Sequence, residues 1–203
     1  MNIQYYDNLR HDVLGLVPDG SYQAILEIGG GEFGTLLKLA EKYDSETWGV
    51  DLFRNKGAPL DNFIEGSIEE EEIGKKIPDL YFDIIMANDV LEHLKNTESF
   101  FHVAYEKLKD DGLLIISVPN ARQIRMIYHL MIRGSFPRHE AGLFDKTHLR
   151  WFCKKDIVNV CSPNFEIIDH KTVGRLVPNF ISRSIIGEFL GLQNIFIMKK
   201  RKS

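Results

Sequence analysis

The chain has 203 residues, 44% hydrophobic and 27% charged, which suits one globular domain with a full core and excludes a low-complexity linker. A net charge of −4 argues against general nucleic-acid binding, and no run approaches the ~20 apolar residues that cross a bilayer. Cys153 and Cys161 make neither a disulfide framework nor a metal-ligand spacing, and residues 1–7 lack the basic-then-apolar pattern of a secretory signal, so a single cytoplasmic domain over 1–203 is expected.

Residues 5–17 carry Tyr5, Tyr6, Leu9, Val13, Leu14, Leu16 and Val17 at near-helical spacing, and Pro18-Asp19-Gly20 ends that helix. The stretch AILEIGGGEFG follows at 24–34. Its apolar start reads as strand 24–28, its glycines as a tight turn, and the residues after them as a helix over about 32–43. Glycines allow the unusual backbone angles of such a turn, and a helix N-terminus behind them favours anionic or polar groups. The spacing Gly29-x-Gly31-x-x-Gly34 is the dinucleotide fingerprint. Asp51 ends the next apolar run, 47–51, and lies 22 positions after Gly29, where a carboxylate receives ribose hydroxyls.

Glu27 separates nucleoside cofactors. A carboxylate two residues before the first glycine is costly to bury without a partner, such as a ligand ammonium or the start of a helix. Glu27, Gly29 and Gly31 match the (D/E)-x-G-x-G-x-G first motif of the class I S-adenosylmethionine-dependent methyltransferases, which the chain resembles here. Phe33 replaces the third motif glycine, with Gly34 one position later. The resemblance implies S-adenosyl-L-methionine as cofactor and S-adenosyl-L-homocysteine as product, held around Glu27, Gly29, Gly31 and Asp51. It also lays the leading helix across the cofactor, with Tyr6 and Arg10 as its reaching side chains.

After Asp51, Leu52 and Phe53 are placed to cover a face of the adenine. A short strand is expected at 62–65. In the resembled family the residues after it meet the adenine edge; here they are Ser67 and Ile68. Ser67-x-x-Glu70 also reads as a capping box for an acidic helix over 69–76. Strand 81–87 then leads into Asn88-Asp89-Val90-Leu91-Glu92-His93-Leu94, which resembles the fourth motif of the same family. Ligands of open parallel sheets lie beyond the carboxyl ends of the strands, so Asn88 and Asp89 are expected to face the cofactor. Asp89-x-x-Glu92 is again a capping-box pattern. His93 is either a general base or a packed histidine.

A helix is expected over 97–109 and a strand over 113–118. Residues 120–150 hold six basic against two acidic side chains, +4, which leaves −8 for the rest. Residues 121–133 read as a helix with Ile124, Ile127, Tyr128, Met131 and Ile132 on one side, a candidate homodimer contact. The insertion at about 120–152 is expected to be the acceptor lid. Arg122 and Arg125 suit an anionic or amphiphilic small-molecule acceptor. Asp145-Lys146-Thr147-His148-Leu149-Arg150-Trp151-Phe152 resembles the D-x-T-H-L-R-x-F stretch of small bacterial methyltransferases linked to surface-polysaccharide modification. The stretch is a loop returning toward the sheet, which places Asp145, His148 and Arg150 at the acceptor, with His148 the first choice for a base and His93 the second. The alternative is that Asp145 and Arg150 pair to hold the loop, with His148 a hydrogen-bonded spacer. A helix over 155–161, strands over 165–171 and 193–199, a short helix over 180–189 and a frayed basic tail complete the chain.

Alternating strands and helices imply a doubly wound, mostly parallel α/β sheet. The resemblance gives it seven strands in the order 3-2-1-4-5-7-6, the last antiparallel. Methyl transfer to a sugar, glycan-precursor or related hydroxyl is the expected function, without a metal. The alternatives are a degenerate cofactor-binding partner subunit without turnover and an NAD(P)-dependent oxidoreductase.

Overall fold

The computed structural model describes residues 9–54, 57–174 and 177–201. The first helix, α1, is His11–Leu14, shorter than its apolar spacing implies; Tyr5 and Tyr6 lie outside the described residues. Then come β1 (Ala24–Ile28), α2 (Gly34–Tyr43), β2 (Glu46–Asp51), β3 (Asn62–Glu65), α3 (Glu71–Lys76) and β4 (Phe82–Asn88). The second half holds α4 (Thr97–Lys107), β5 (Leu108–Pro119), α5 (Ile124–Met131), α6 (Lys154–Cys161), β6 (Phe165–Val173), α7 (Ile185–Leu190) and β7 (Gln193–Lys200).

The strands form one sheet in the order β3-β2-β1-β4-β5-β7-β6. β1 pairs in parallel with β2 and β4, whereas β7 is antiparallel to both β5 and β6. This is the architecture expected from the sequence. All five residues of β1 are buried, as a central strand covered on both faces requires. The pleat alternates them: Leu26 and Ile28 join Phe82, Ile85 and Phe100 on one face, and Ile25 joins Leu36, Ile84 and Met86 on the other. From β1 the chain winds outward to β2 and β3, then returns to the opposite side with β4. That reversal leaves a crevice at the carboxyl ends of β1 and β4.

Several local expectations change. Neither capping box forms. Ser67 Oγ accepts from the Glu69 amide, and α3 starts only at Glu71 with no side-chain cap. Past β4 the chain makes a 3-10 turn at Leu91–His93, entered through Asp89 at φ 56°. The helix expected over 180–189 is split into a 3-10 turn at Asn179–Ile181 and α7, whose cap Ser184 accepts from the Gly187 amide at 3.2 Å. Of the basic tail expected at 200–202, Lys200 and Arg201 are anchored, and Lys202 lies outside the described residues. Lys200 is buried in β7 with its ammonium over the Tyr105 ring, and the Arg201 amide donates to the Asn164 carbonyl.

Candidate active site

The site begins at the turn after β1. Gly29 and Gly31 have φ of 69° and 58°, in the left-handed region that favours glycine. A Cβ on Gly29 would lie 2.5 Å from Val90 Cγ2, so the turn also needs glycine to let β4's exit approach. Phe33, at the third motif glycine, adopts φ 57° itself. Its ring is 1% exposed, set edge-on to Phe63, and it fills the space beside Gly30 and Gly49. The side chain takes up the backbone strain, and the turn keeps its left-handed step.

Asp51, at the end of β2, accepts from the Gly31 amide at 2.9 Å and from the Phe53 amide at 3.3 Å. It is thereby fixed at the rim of a cavity of about 370 Å3, within the ~300–1,000 Å3 typical of small-molecule sites. Gly29, Asp51, Leu52, Ser67, Ile68 and Asp89 all line this cavity. Leu52 and Ile68 contribute apolar walls, and Ser67 a hydroxyl. His93, Val90 and Gly66 line it as well.

Glu27 and Asn88 sit beneath the turn. Glu27 is 3% exposed; its carboxylate accepts from Asn88 Nδ2 at 3.1 Å and from the Leu36 amide, in the first turn of α2, at 3.3 Å. Of its two candidate partners, the helix start is the one seen. Burial pushes its carboxyl up to about 7, against the opposing pull of these hydrogen bonds and of Arg10.

Arg10 reaches the site from the α1 side. It donates to Asp89 at 2.6 Å and to Ser117 Oγ at 3.0 Å, while its other nitrogens hold Asp12. A second cavity of about 720 Å3 shares Arg10 and Asp89 and runs on to Lys171, Asn179 and Gln193.

The loop at 145–150 folds against the turn after β4. The amides of Leu149 and Arg150 both donate to the Glu92 carbonyl, at 2.8 and 3.1 Å. Arg150 Nε donates to the Leu94 carbonyl at 3.0 Å, and its terminal nitrogen to that of Lys95. Asp145 accepts from both the amide and the hydroxyl of Thr147. These contacts set His148 against His93, ring centroids 4.9 Å apart, with Glu92 behind them. Burial, followed by the neighbouring His93, lowers the His148 pKa and keeps its ring neutral. Burial, followed by Asp89, pushes the Glu92 carboxyl up to about 8.

The two other arginines lie differently. Arg122 pairs with Glu188 and lies over the Phe189 ring of α7. Arg125 is exposed on α5, as are Ile124, Tyr128, Met131 and Ile132.

A family described as "Methyltransferase domain" matches residues 1–160. The chain belongs to this methyltransferase domain family. That membership removes the oxidoreductase alternative. Over 100 residues, 46% of the chain, this methyltransferase domain is 31% identical to the phosphoethanolamine N-methyltransferase of Plasmodium falciparum, of which it covers 38%. The chain thus spans well under half the length of the curated relatives it matches. Its fold is similar to that of a putative S-adenosylmethionine-dependent methyltransferase from Listeria monocytogenes, with a TM-score of 0.65 and 15% identity over 95% of this chain and 96% of that one. It is also similar to phosphoethanolamine N-methyltransferase 2 of Haemonchus contortus in complex with S-adenosyl-L-methionine, with a TM-score of 0.58 and 16% identity over 94% of this chain and 52% of that one.

In this methyltransferase domain the side chain that sequence patterns misplace is Glu92. Its spacing from Asp89 suggests a cap, but the carboxylate is 1% exposed and neither oxygen has a hydrogen-bond partner among the described residues. A charged residue inside the apolar run Val90-Leu91-Glu92-His93-Leu94 was the available signal.

Proposed function

We propose that the chain transfers a methyl group from S-adenosylmethionine to a hydroxyl of a small polar acceptor, such as a sugar, a glycan precursor or a related metabolite, in the cytoplasm. The observation that carries this reading is Asp51, locked onto the Gly31 amide at the rim of the cavity that the glycine turn and Asp89 complete. A carboxylate so fixed receives a ribose diol, with Leu52 and Ile68 as walls for a flat base and Ser67 at its edge. Gly29 and Gly31 open the backbone to the cofactor, and Glu27 and Asn88 support the turn from below.

When bound, the sulfonium supplies a methyl group already activated for transfer. The work left to the chain is alignment and exclusion of water. Asp89 lines both cavities, so the reacting atoms meet beside it. Arg10 and Lys171 in the second cavity suit an acceptor that carries a phosphate or carboxylate, in keeping with a relative named for phosphoethanolamine. His148 and His93 activate the acceptor hydroxyl, and Asp145 and Arg150 hold the loop that carries His148. The segment at 120–152 serves as the lid, Arg125 meets acceptor charge at its edge, and the exposed apolar side of α5 is the homodimer contact. Arg122, spent on α7, steadies the lid's base.

Calorimetric titration with S-adenosylhomocysteine, NAD and NADP tests the reading. Micromolar binding of S-adenosylhomocysteine alone, weakened about tenfold or more in Asp51→Ala, is expected. Dinucleotide binding without S-adenosylhomocysteine binding would overturn it.

A further inference from the structure

Glu92, His93 and His148 bring a carboxylate and two imidazoles together beside the cofactor cavity, their ligand atoms within 4.8 Å of one another. Among the described residues, both carboxylate oxygens of Glu92, 1% exposed, lack a hydrogen-bond partner, and so does Nδ1 of His148, 6% exposed. Buried polar atoms in folded chains are nearly always paired, so three orphans in one place call for a shared partner. They do not satisfy each other: His148 Nε2 stands 4.0 Å from Glu92 Oε1, beyond hydrogen-bond reach.

The His93 imidazole is oriented as a metal ligand is. His93 Nδ1 lies 3.3 Å from the Thr147 carbonyl, which holds the proton on that nitrogen and leaves Nε2 its lone pair. Asp89 adds charge nearby, and its buried Oδ1 is also unpartnered. An apolar ligand would leave all these atoms unsatisfied.

We propose that Glu92, His93 and His148 bind a divalent metal ion of the zinc and cobalt class, with at least one coordination position open toward the acceptor. Two imidazoles and one carboxylate are a donor set that such ions favour, and three protein ligands with an open position are the pattern of a reactive rather than a purely structural site. A tetrahedral ion spaces its donors about 3.3 Å apart, so binding draws the three side chains in by roughly an ångström. The proposal rests on reading the adjoining cavity as the methyl-donor site. It specifies how the histidine pair activates a hydroxyl: as ligands rather than bases they would hold an ion whose bound oxygen gives up its proton to solvent water more readily. Ligand spacing along the sequence does not reveal the site, because His148 follows His93 by 55 residues and meets it only through the 145–150 loop.

The test is a titration of chelator-stripped full-length protein with Co2+ alone, followed by visible absorption, beside a calorimetric titration with S-adenosylhomocysteine. One equivalent of cobalt with d–d absorption is expected. The near-isosteric Glu92→Gln and His148→Asn are each expected to weaken it about tenfold or more while keeping S-adenosylhomocysteine binding, and His93→Ala, at an exposed position, is expected to weaken cobalt binding likewise. Binding of S-adenosylhomocysteine with no cobalt uptake, or cobalt uptake equal in all three variants, would overturn the metal site. Cobalt uptake at these residues without any S-adenosylhomocysteine binding would keep the ion site and overturn the cofactor reading.

Discussion

Arg10 donates to Asp89 at 2.6 Å across 79 residues of chain, and this one pair joins the N-terminal helix to the exit of the central strand β4. Asp89 sits there with φ 56°, a backbone step that its neighbours must hold. The same guanidinium reaches Ser117 at the end of β5, and the Arg10 amide donates to Thr35 in α2. One side chain therefore sets the geometry between the two cavities.

Arg10→Ala is expected to loosen that geometry more than it unfolds the protein. The pair is partly exposed, so its loss costs only about 1 kcal/mol of stability. S-adenosylhomocysteine affinity is expected to fall about tenfold, because Asp89 loses its fixed orientation in the cavity wall. Calorimetry and urea unfolding on one sample separate the two effects. Equal affinity for wild type and variant would show that Asp89 needs no such support.

Phe33 gives a test of the glycine turn. Removing its ring by Phe33→Gly relieves about 1–2 kcal/mol of left-handed strain but empties a fully buried site, which costs about 3–5 kcal/mol. A net loss of about 2 kcal/mol is expected, with cofactor affinity nearly unchanged. Gly30→Ala should be severely destabilising alone, since its Cβ would meet the ring at 2.3 Å, and much milder on the Phe33→Gly background. Additive losses in the double variant, measured by urea unfolding, would contradict this coupling.

Long-period patterns were legible in the sequence and short-range chemistry less so. The apolar runs 24–28 and 82–87 became buried strands because a central parallel strand leaves no other reading. The Gly29 and Asp51 pairing was legible because the ligand-facing end of a βαβ unit has fixed spacing. The two capping boxes failed for a local reason. Ser67 spends its oxygen on Glu69 two residues on, and the Glu92 side chain is buried while the 145–150 loop holds its backbone carbonyl. Spacing cannot show that loop's return, nor that Arg150 would bond the Leu94 and Lys95 carbonyls rather than Asp145.

Glu27 makes stability depend on pH. Its carboxyl is raised from the ordinary 4.5 to about 7 by burial, so the fold favours the protonated form. Stability from this group is complete below about pH 4.5, is lost as pH rises through about 7, and is level above that, a change of at most about 3 kcal/mol. Glu27→Gln mimics the protonated carboxyl. It is expected to match wild type near pH 5 and to exceed it near pH 8 in urea unfolding without cofactor. An equal pH slope in both proteins would mean that Glu27 is ionised throughout.

Arg150 is expected to act on the acceptor loop without touching the cofactor. Its side chain binds the Leu94 and Lys95 carbonyls, while the backbone amides of Leu149 and Arg150 hold the Glu92 carbonyl. Arg150→Ala removes the side-chain anchor and leaves the two amide bonds and the His93–Thr147 contact to hold His148 against His93 and Glu92. Lysine cannot replace a fork that serves two carbonyls, so Arg150→Lys should resemble Arg150→Ala. Hydrogen exchange at the Leu149 and Arg150 amides is expected to quicken about tenfold in both variants, a loss of roughly 1.4 kcal/mol of local stability. Affinity for S-adenosylhomocysteine should stay within twofold or so, since Arg150 is no part of that cavity. Turnover should fall by a factor of about ten or more, because a displacement near an ångström is costly where two reacting atoms must align. Unchanged exchange at the two amides would show that the backbone bonds alone fix the loop, and would leave Arg150 free to meet the acceptor directly.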